Sequence, residues 1–196
     1  YNDKRILVVE DNKVNQKVLL NMLGKFRCRP DLAENGLEAL GKMAQKAYDL
    51  VFMDCQMPVM DGYEAVRRLR GQELTRSSAR IPVIALTAHV SAGEREKCLA
   101  AGMDDFMSKP IGRPELTDVL ARWLSGSGPT RADNVTGSAE AVSGDAPAGC
   151  WDEAAALKRL DDDQELLSDM IDLFLSETPA RLTELEEALA RGDYVA

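Results

Sequence analysis

The 196-residue chain predicts an α/β protein, a doubly wound parallel sheet of five strands, followed by an all-α segment. Three observations carry this. Short apolar runs alternate five times with helical stripes, which implies right-handed βαβ crossovers and a parallel sheet. Most of those runs end on a polar or reactive side chain: Ile6–Val9 on Glu10–Asp11, Leu50–Met53 on Asp54, Ile81–Leu86 on Thr87, and Met103–Ser108 on Lys109–Pro110. Finally, the charge is divided. Residues 1–149 carry 20 acidic and 20 basic side chains, whereas residues 150–196 carry 13 acidic and 4 basic and so hold the whole net charge of −9.

The elements follow in order. Arg5–Val9 is the first strand, and Val14, Val18, Leu19, Met22 and Leu23 form the stripe of a helix from Lys13 to about Phe26, capped by Asp11 or Asn12. Cys28–Ala33 is a weaker strand, and Pro30 within it predicts a sheet edge. Asn35–Gly36 opens a helix carrying Leu37, Leu40, Met43 and Ala44 and ending near Ala47. Leu50–Asp54 is the central strand, an uninterrupted apolar run that reads as buried on both faces. Tyr63, Val66 and Leu69 face inward from the next helix, with Arg67, Arg68 and Arg70 facing away, and a polar loop runs from Gly71 to Arg80.

Ile81–Leu86 is the fourth strand; Ser91–Ala101 is a polar helix closed by Gly102. Met103–Met107 is the last strand, and Pro114–Leu124 is a helix turning Leu116, Val119, Leu120, Trp123 and Leu124 inward. With the second strand at an edge, the order 2-1-3-4-5 fits, the flavodoxin-like arrangement. That order brings Glu10, Asp11, Asp54 and Thr87 together at the carboxyl edge, where open α/β sheets bind ligands.

Residues 1–125 therefore read as one domain. Residues 126–149, rich in Gly, Ser, Ala, Thr and Pro, read as a flexible linker, and residues 150–196 as helices. In that segment Asp152 caps a short helix ending near Leu160, and a stripe of Leu166, Leu167, Met170, Ile171, Phe174 and Leu175 marks a longer one. Thr178–Pro179 reads as the cap and first residue of a third, which stops at Gly192. These helices carry more apolar surface than so short a segment buries alone. Beginning at Tyr1 and ending at Ala196, the chain reads as a fragment of something longer.

Composition excludes several classes. Neither half offers a basic surface for nucleic acid, and no apolar run approaches the roughly 18 residues of a membrane span. Cys28, Cys55, Cys98 and Cys150 lie far apart without a CxxC pair, which predicts reduced, cytosolic thiols rather than a disulfide framework or zinc site. The parent protein is compatible with an inner-membrane anchor upstream.

Three crowded carboxylates repel one another unless something positive intervenes. A divalent cation that favours carboxylate and carbonyl oxygen is the natural remedy, and Mg²⁺ suits an open, shallow site, with Mn²⁺ as its substitute. Lys109 adds a mobile positive charge, and Thr87 a hydroxyl that donates to a phosphoryl oxygen. Carboxylate, metal, hydroxyl and ammonium together make a site for phosphoryl transfer onto Asp54. A haloacid-dehalogenase-like phosphohydrolase would want a second Asp two residues after its nucleophile on the first strand, but Asn12 and Lys13 follow Asp11. A flavodoxin-like cofactor binder would need a phosphate loop where Glu10–Asp11 would repel it.

Val8–Asn12, Met53–Gly62, Leu86–Ala88 and Ser108–Pro110 resemble the signatures of bacterial response-regulator receiver domains. The wording around Asp54–Pro58, Leu86–His89 and Cys98–Asp105 is similar to the receivers of hybrid sensor histidine kinases. The resemblance implies that Asp54 accepts a phosphoryl group from a phosphohistidine. It further implies that Glu10, Asp11, Asp54 and the backbone carbonyl of Gln56 hold Mg²⁺, and that Thr87 and Lys109 contact the phosphoryl oxygens. Phe106 would be the aromatic of the conformational switch, Gln56 and His89 would tune the acyl-phosphate lifetime, and the Lys109–Pro110 bond would be cis. Residues 150–196 resemble the opening of a histidine phosphotransfer domain, through Phe174–Pro179 and the run from Leu185 to Tyr194. Its phosphoacceptor histidine is missing, since His89 is the chain's single histidine. The implied partners are such a domain and the dimerisation and phosphoacceptor domain of a histidine kinase. A receiver-shaped interaction module that is never phosphorylated is the alternative.

Overall fold

The computed structural model describes residues 1–76, 79–88, 91–124, 156, 157, 160 and 163–191. The linker expected over 126–149 and His89 lie outside the described residues. Five strands, β1 (Arg5–Val9), β2 (Arg29–Ala33), β3 (Leu50–Asp54), β4 (Val83–Thr87) and β5 (Asp105–Ser108), form one parallel sheet in the order β2-β1-β3-β4-β5. This is the flavodoxin-like topology, and Pro30 does lie in an edge strand.

The helices are α1 (Lys13–Lys25), α2 (Gly36–Gln45), α3 (Gly62–Arg76), α4 (Ala92–Ala101), α5 (Arg113–Leu124) and α6 (Gln164–Arg191). Successive strand residues point to opposite faces, which splits the core in two. Leu7, Val9, Val51 and Met53 pack against α2, α3 and α4, while Ile6, Val8, Leu50 and Phe52 pack against α1 and α5. Every residue of β3 and β4 is buried, so both strands carry apolar runs with no alternation.

Asn12, rather than Asp11, caps α1: its side chain accepts from the backbone N–H groups of Val14 and Asn15. Gly102 closes α4 at φ 97°, a left-handed conformation that suits glycine. Three expectations need correction. Where the sequence predicts a polar loop from Gly71, α3 instead runs to Arg76. Arg70, expected to face solvent, turns inward to pair with Glu73 at 2.8 Å and Asp104 at 2.7 Å. Glu73 in turn accepts from the backbone N–H of Ile81 at 2.8 Å. That network anchors the additional turn.

The third correction concerns Thr178–Pro179. No new helix starts there, because α6 is continuous with Pro179 inside it. Proline removes one ladder bond from a helix, and nearby hydroxyls supply bonds to its backbone: Thr183 Oγ1 donates to the Pro179 carbonyl at 3.0 Å and Ser176 Oγ to that of Leu173 at 2.9 Å. The start of this segment packs on α1. Leu160, Leu166 and Leu167 bury against Val18, and Lys25 pairs with Asp163 at 3.1 Å.

Candidate functional site

The site grows from three strand ends and the turns after them. β1 delivers Glu10 and Asp11, β3 ends on Asp54, and β5 leads into Lys109. Because β3 pairs directly with β1, one carboxylate oxygen from each of Glu10, Asp11 and Asp54 lies within 4.8 Å of the other two. Lys109 Nζ stands 2.6 Å from Asp54 Oδ2 and 2.6 Å from Glu10 Oε2. The Lys109–Pro110 peptide is cis, as expected.

Glu10 is held by Asn12 and by two residues outside the sequence motif, Asn15 and Gln16. Its Oε1 accepts from Asn15 Nδ2 at 2.9 Å and from the Asn12 backbone N–H at 3.3 Å. Its carbonyl accepts from the buried Gln16 Nε2 at 2.6 Å. Asn15 and Gln16 lie on the first turns of α1, and their only sequence signal is two amides beside a helix start. Gly62, the last residue of the Met53–Gly62 motif, shapes the site sterically: a Cβ there would sit 2.1 Å from the Asp54 carbonyl oxygen, so a side chain would push the loop off the strand end.

Burial pushes the Glu10 carboxyl above the usual carboxylate range; Lys109 and Asn15 pull against this, and the charge of Asp54 reinforces it. For Lys109, burial works to lower the pKa, but its bonds to Asp54 and Glu10 outweigh it and keep the ammonium above its ordinary range. Lys109 is therefore a fixed cation at neutral pH.

Asp54 is 6 % exposed and accepts from the Gln56 backbone N–H at 3.2 Å. The Gln56 side chain stands in solvent. Thr87, also buried, ends β4 one register step beyond the Asp54–Leu86 pair, and its carbonyl accepts from the Lys109 N–H at 2.8 Å. Phe106 is partly buried on β5, packed against the α4 side of the core. Glu10, Asp11, Asp54 and Lys109 thus form one cluster with Thr87 on the neighbouring strand, while Phe106 lies one layer away. Three carboxylates against one ammonium leave two negative charges uncompensated, a donor set of hard oxygens suited to a small divalent cation.

Comparison with known proteins gives a consistent picture. Residues 6–121 match the family described as the response regulator receiver domain. The crystal structure of the receiver domain of a Pseudomonas aeruginosa sensor histidine kinase, with a magnesium ion coordinated in its active site cleft, is 46 % identical. It matches with a TM-score of 0.57, covering 63 % of this chain and 98 % of that one. A Saccharomyces cerevisiae response-regulator receiver, solved together with its histidine phosphotransfer signalling protein, is 31 % identical with a TM-score of 0.63, covering 68 % of this chain and 97 % of that one.

Among curated proteins, hybrid signal transduction histidine kinase A of Dictyostelium discoideum is 43 % identical over 121 residues, 61 % of this chain but 6 % of its own length. The histidine-protein kinase BarA of Shigella flexneri is 34 % identical over 185 residues, 94 % of this chain and 20 % of its own length. This chain spans a small part of both kinases. By its four ordered motifs, its sheet order and the match over residues 6–121, it belongs to the response regulator receiver domain family.

Proposed function

We propose that this chain is the receiver module of a bacterial hybrid-kinase phosphorelay, taking a phosphoryl group from a phosphohistidine onto Asp54 in a Mg²⁺-dependent reaction. The observation that carries this is Lys109 Nζ, 2.6 Å from both Asp54 and Glu10, inside a carboxylate trio that it only partly neutralises. Glu10, Asp11, Asp54 and the backbone carbonyl of Gln56 would hold the metal. When bound, the ion supplies positive charge against which an anionic phosphoryl group approaches. Mn²⁺, with the same preference for oxygen, is its expected substitute.

Asp54, at the end of a fully buried strand, is held in place for attack along one direction. One of its carboxylate oxygens forms the new bond to phosphorus as the bond from phosphorus to the donor imidazole breaks, leaving the histidine neutral and the aspartate as an acyl phosphate. Lys109 exchanges its bond to Asp54 for one to a phosphoryl oxygen, and the Thr87 hydroxyl donates to another. Phe106 follows Thr87 in the resulting two-state switch. Gln56 and His89 set the lifetime of the product.

The donor partners are the dimerisation and phosphoacceptor domain of a histidine kinase and a histidine phosphotransfer domain. The yeast relative, solved with a phosphotransfer protein, supports that class of partner. We assign residues 1–125 to the receiver, 126–149 to a linker and 150–196 to the start of a phosphotransfer domain. The BarA match, which extends over 94 % of this chain, supports a shared architecture beyond the receiver. Among the described residues no helix is long and apolar enough to cross a membrane. The cytoplasmic location we propose follows from the proposed kinase and phosphotransfer partners.

The test is the intact mass of the protein after incubation with Mg²⁺ and acetyl phosphate. One phosphoryl adduct is expected, lost in Asp54→Asn and lost with EDTA. Absence of an adduct together with absence of beryllofluoride binding would overturn the proposal and leave a receiver-shaped interaction module.

A further inference from the structure

The first turn of α4 touches the start of α3, just after the Asp54 loop, and β5, just before Lys109. Tyr63, the residue after Gly62, donates its hydroxyl proton to Glu94. One position on, the Arg95 guanidinium lies over the Phe106 ring, 5.8 Å from its centroid. A turn later, Cys98 Sγ stands 3.8 Å from Cys55 Sγ, the side chain that follows Asp54. Phe106 itself is packed against the core cluster that contains Cys55 and Cys98. α4 is thus tied on one side to the segment carrying Asp54, and on the other to the β5 aromatic three residues before Lys109.

We infer that Arg95 is a positioning residue for the switch: its cation holds the Phe106 ring in the place seen here, while the Glu94–Tyr63 bond anchors the same turn to the Asp54 loop. This rests on the phosphoacceptor reading for its consequence. Any displacement of the Asp54 loop pulls on Glu94, and through the rigid first turn it shifts Arg95 off the ring. The ring then loses an attraction worth, at an exposed site, about a two- to fivefold change in population ratio. Arg95 acts on the Phe106 ring while Lys109 holds Asp54, so its effect is on the ring's equilibrium rather than on the chemical step.

The experiment places para-fluorophenylalanine at position 106 of the full chain and reads its ¹⁹F resonance in Mg²⁺, with and without beryllofluoride. In Arg95→Ala the ligand-free resonance should move toward the beryllofluoride-bound position by about two- to fivefold in population ratio, and half-saturation by beryllofluoride should fall by a similar factor. Arg95→Lys, which keeps the cation, should recover at least half of the wild-type position. Tyr63→Phe, which removes the anchoring bond, should move the resonance the same way. A ligand-free resonance unchanged in Arg95→Ala, or an Arg95→Lys spectrum as displaced as that of Arg95→Ala, would overturn the inference. A wild-type chain that neither binds beryllofluoride nor forms an acyl phosphate would overturn the phosphoacceptor reading instead, and the ligand-free spectra would still decide the role of Arg95.

Discussion

The two edges of the sheet each gather charge, and they balance it differently. At the amino edge, Arg70 and Arg80 face Glu73 and Asp104, two cations against two anions. Arg70 also donates to the carbonyls of Gly102 and Ile81, and Asp104 accepts from the Val83 N–H. At the carboxyl edge Lys109 pairs with Asp54 and Glu10, two of three clustered carboxylates, and two negative charges stay open. A closed network is a structural staple, since each charge already has its partners. An open one needs a ligand to complete it.

The strongest way to break this contrast is to remove the cation of the closed edge. Arg70→Met leaves the buried Glu73 with only the Ile81 N–H, while Asp104 keeps Arg80 and the Val83 N–H, and should destabilise the chain by about 3–5 kcal/mol in urea unfolding. A loss below about 1 kcal/mol would show that the carboxylates of this edge are satisfied without Arg70.

The sharper test compares signs. Asp104→Asn should destabilise, because it withdraws an anion from two arginines. Asp11→Asn relieves crowding, so in magnesium-free buffer it should leave stability within about 1 kcal/mol of wild type, on the favourable side. Mg²⁺ at a hundredfold excess over its dissociation constant should add about 2.7 kcal/mol to the wild type and clearly less to Asp11→Asn, as read by thermal melts. Equal metal stabilisation of both chains would remove Asp11 from the metal site.

The smallest effect lies away from both edges. Lys46 and Tyr48 donate to Asp31, and the bond from Lys46 is the main reason its carboxyl lies below the usual carboxylate range. A depressed folded-state value contributes stability above the ordinary carboxylate pKa, near 3.9, and that contribution disappears as the pH falls through the folded value. Asp31→Asn should therefore flatten the acid limb of stability below about pH 4, by less than about 1 kcal/mol for so exposed a pair. An unchanged acid limb would show that the pair is severed in solution.

Much of this was legible in the sequence because it depends on local pattern. Apolar runs in β1, β3 and β4 that end on Glu10, Asp54 and Thr87 announce a buried parallel sheet and its reactive edge together. Arg70 was not legible. Its neighbours Arg67 and Arg68 are exposed and pair with Glu64 on their own helix, whereas Arg70 is turned inward by Asp104 and the Gly102 carbonyl, more than thirty residues away in the chain. Pro179 misled for the opposite reason. Its local rule is strong, but the helix keeps its course across the missing bond. Asn15 and Gln16 were invisible because an amide on a helix surface looks the same whether or not a carboxylate waits beneath it.

Those two amides have a consequence for how the site responds to thermal motion. Asn12 caps α1 while its own backbone N–H, with Asn15, grips Glu10, and Gln16 holds the Glu10 carbonyl. Fraying of the first turn of α1 is therefore the same event as release of a site carboxylate. Amide hydrogen exchange at Val14 and Asn15 doubles as a clock for how often the acidic edge comes apart, and a solvent or neighbour that steadies that turn raises the fraction of time the edge stands assembled.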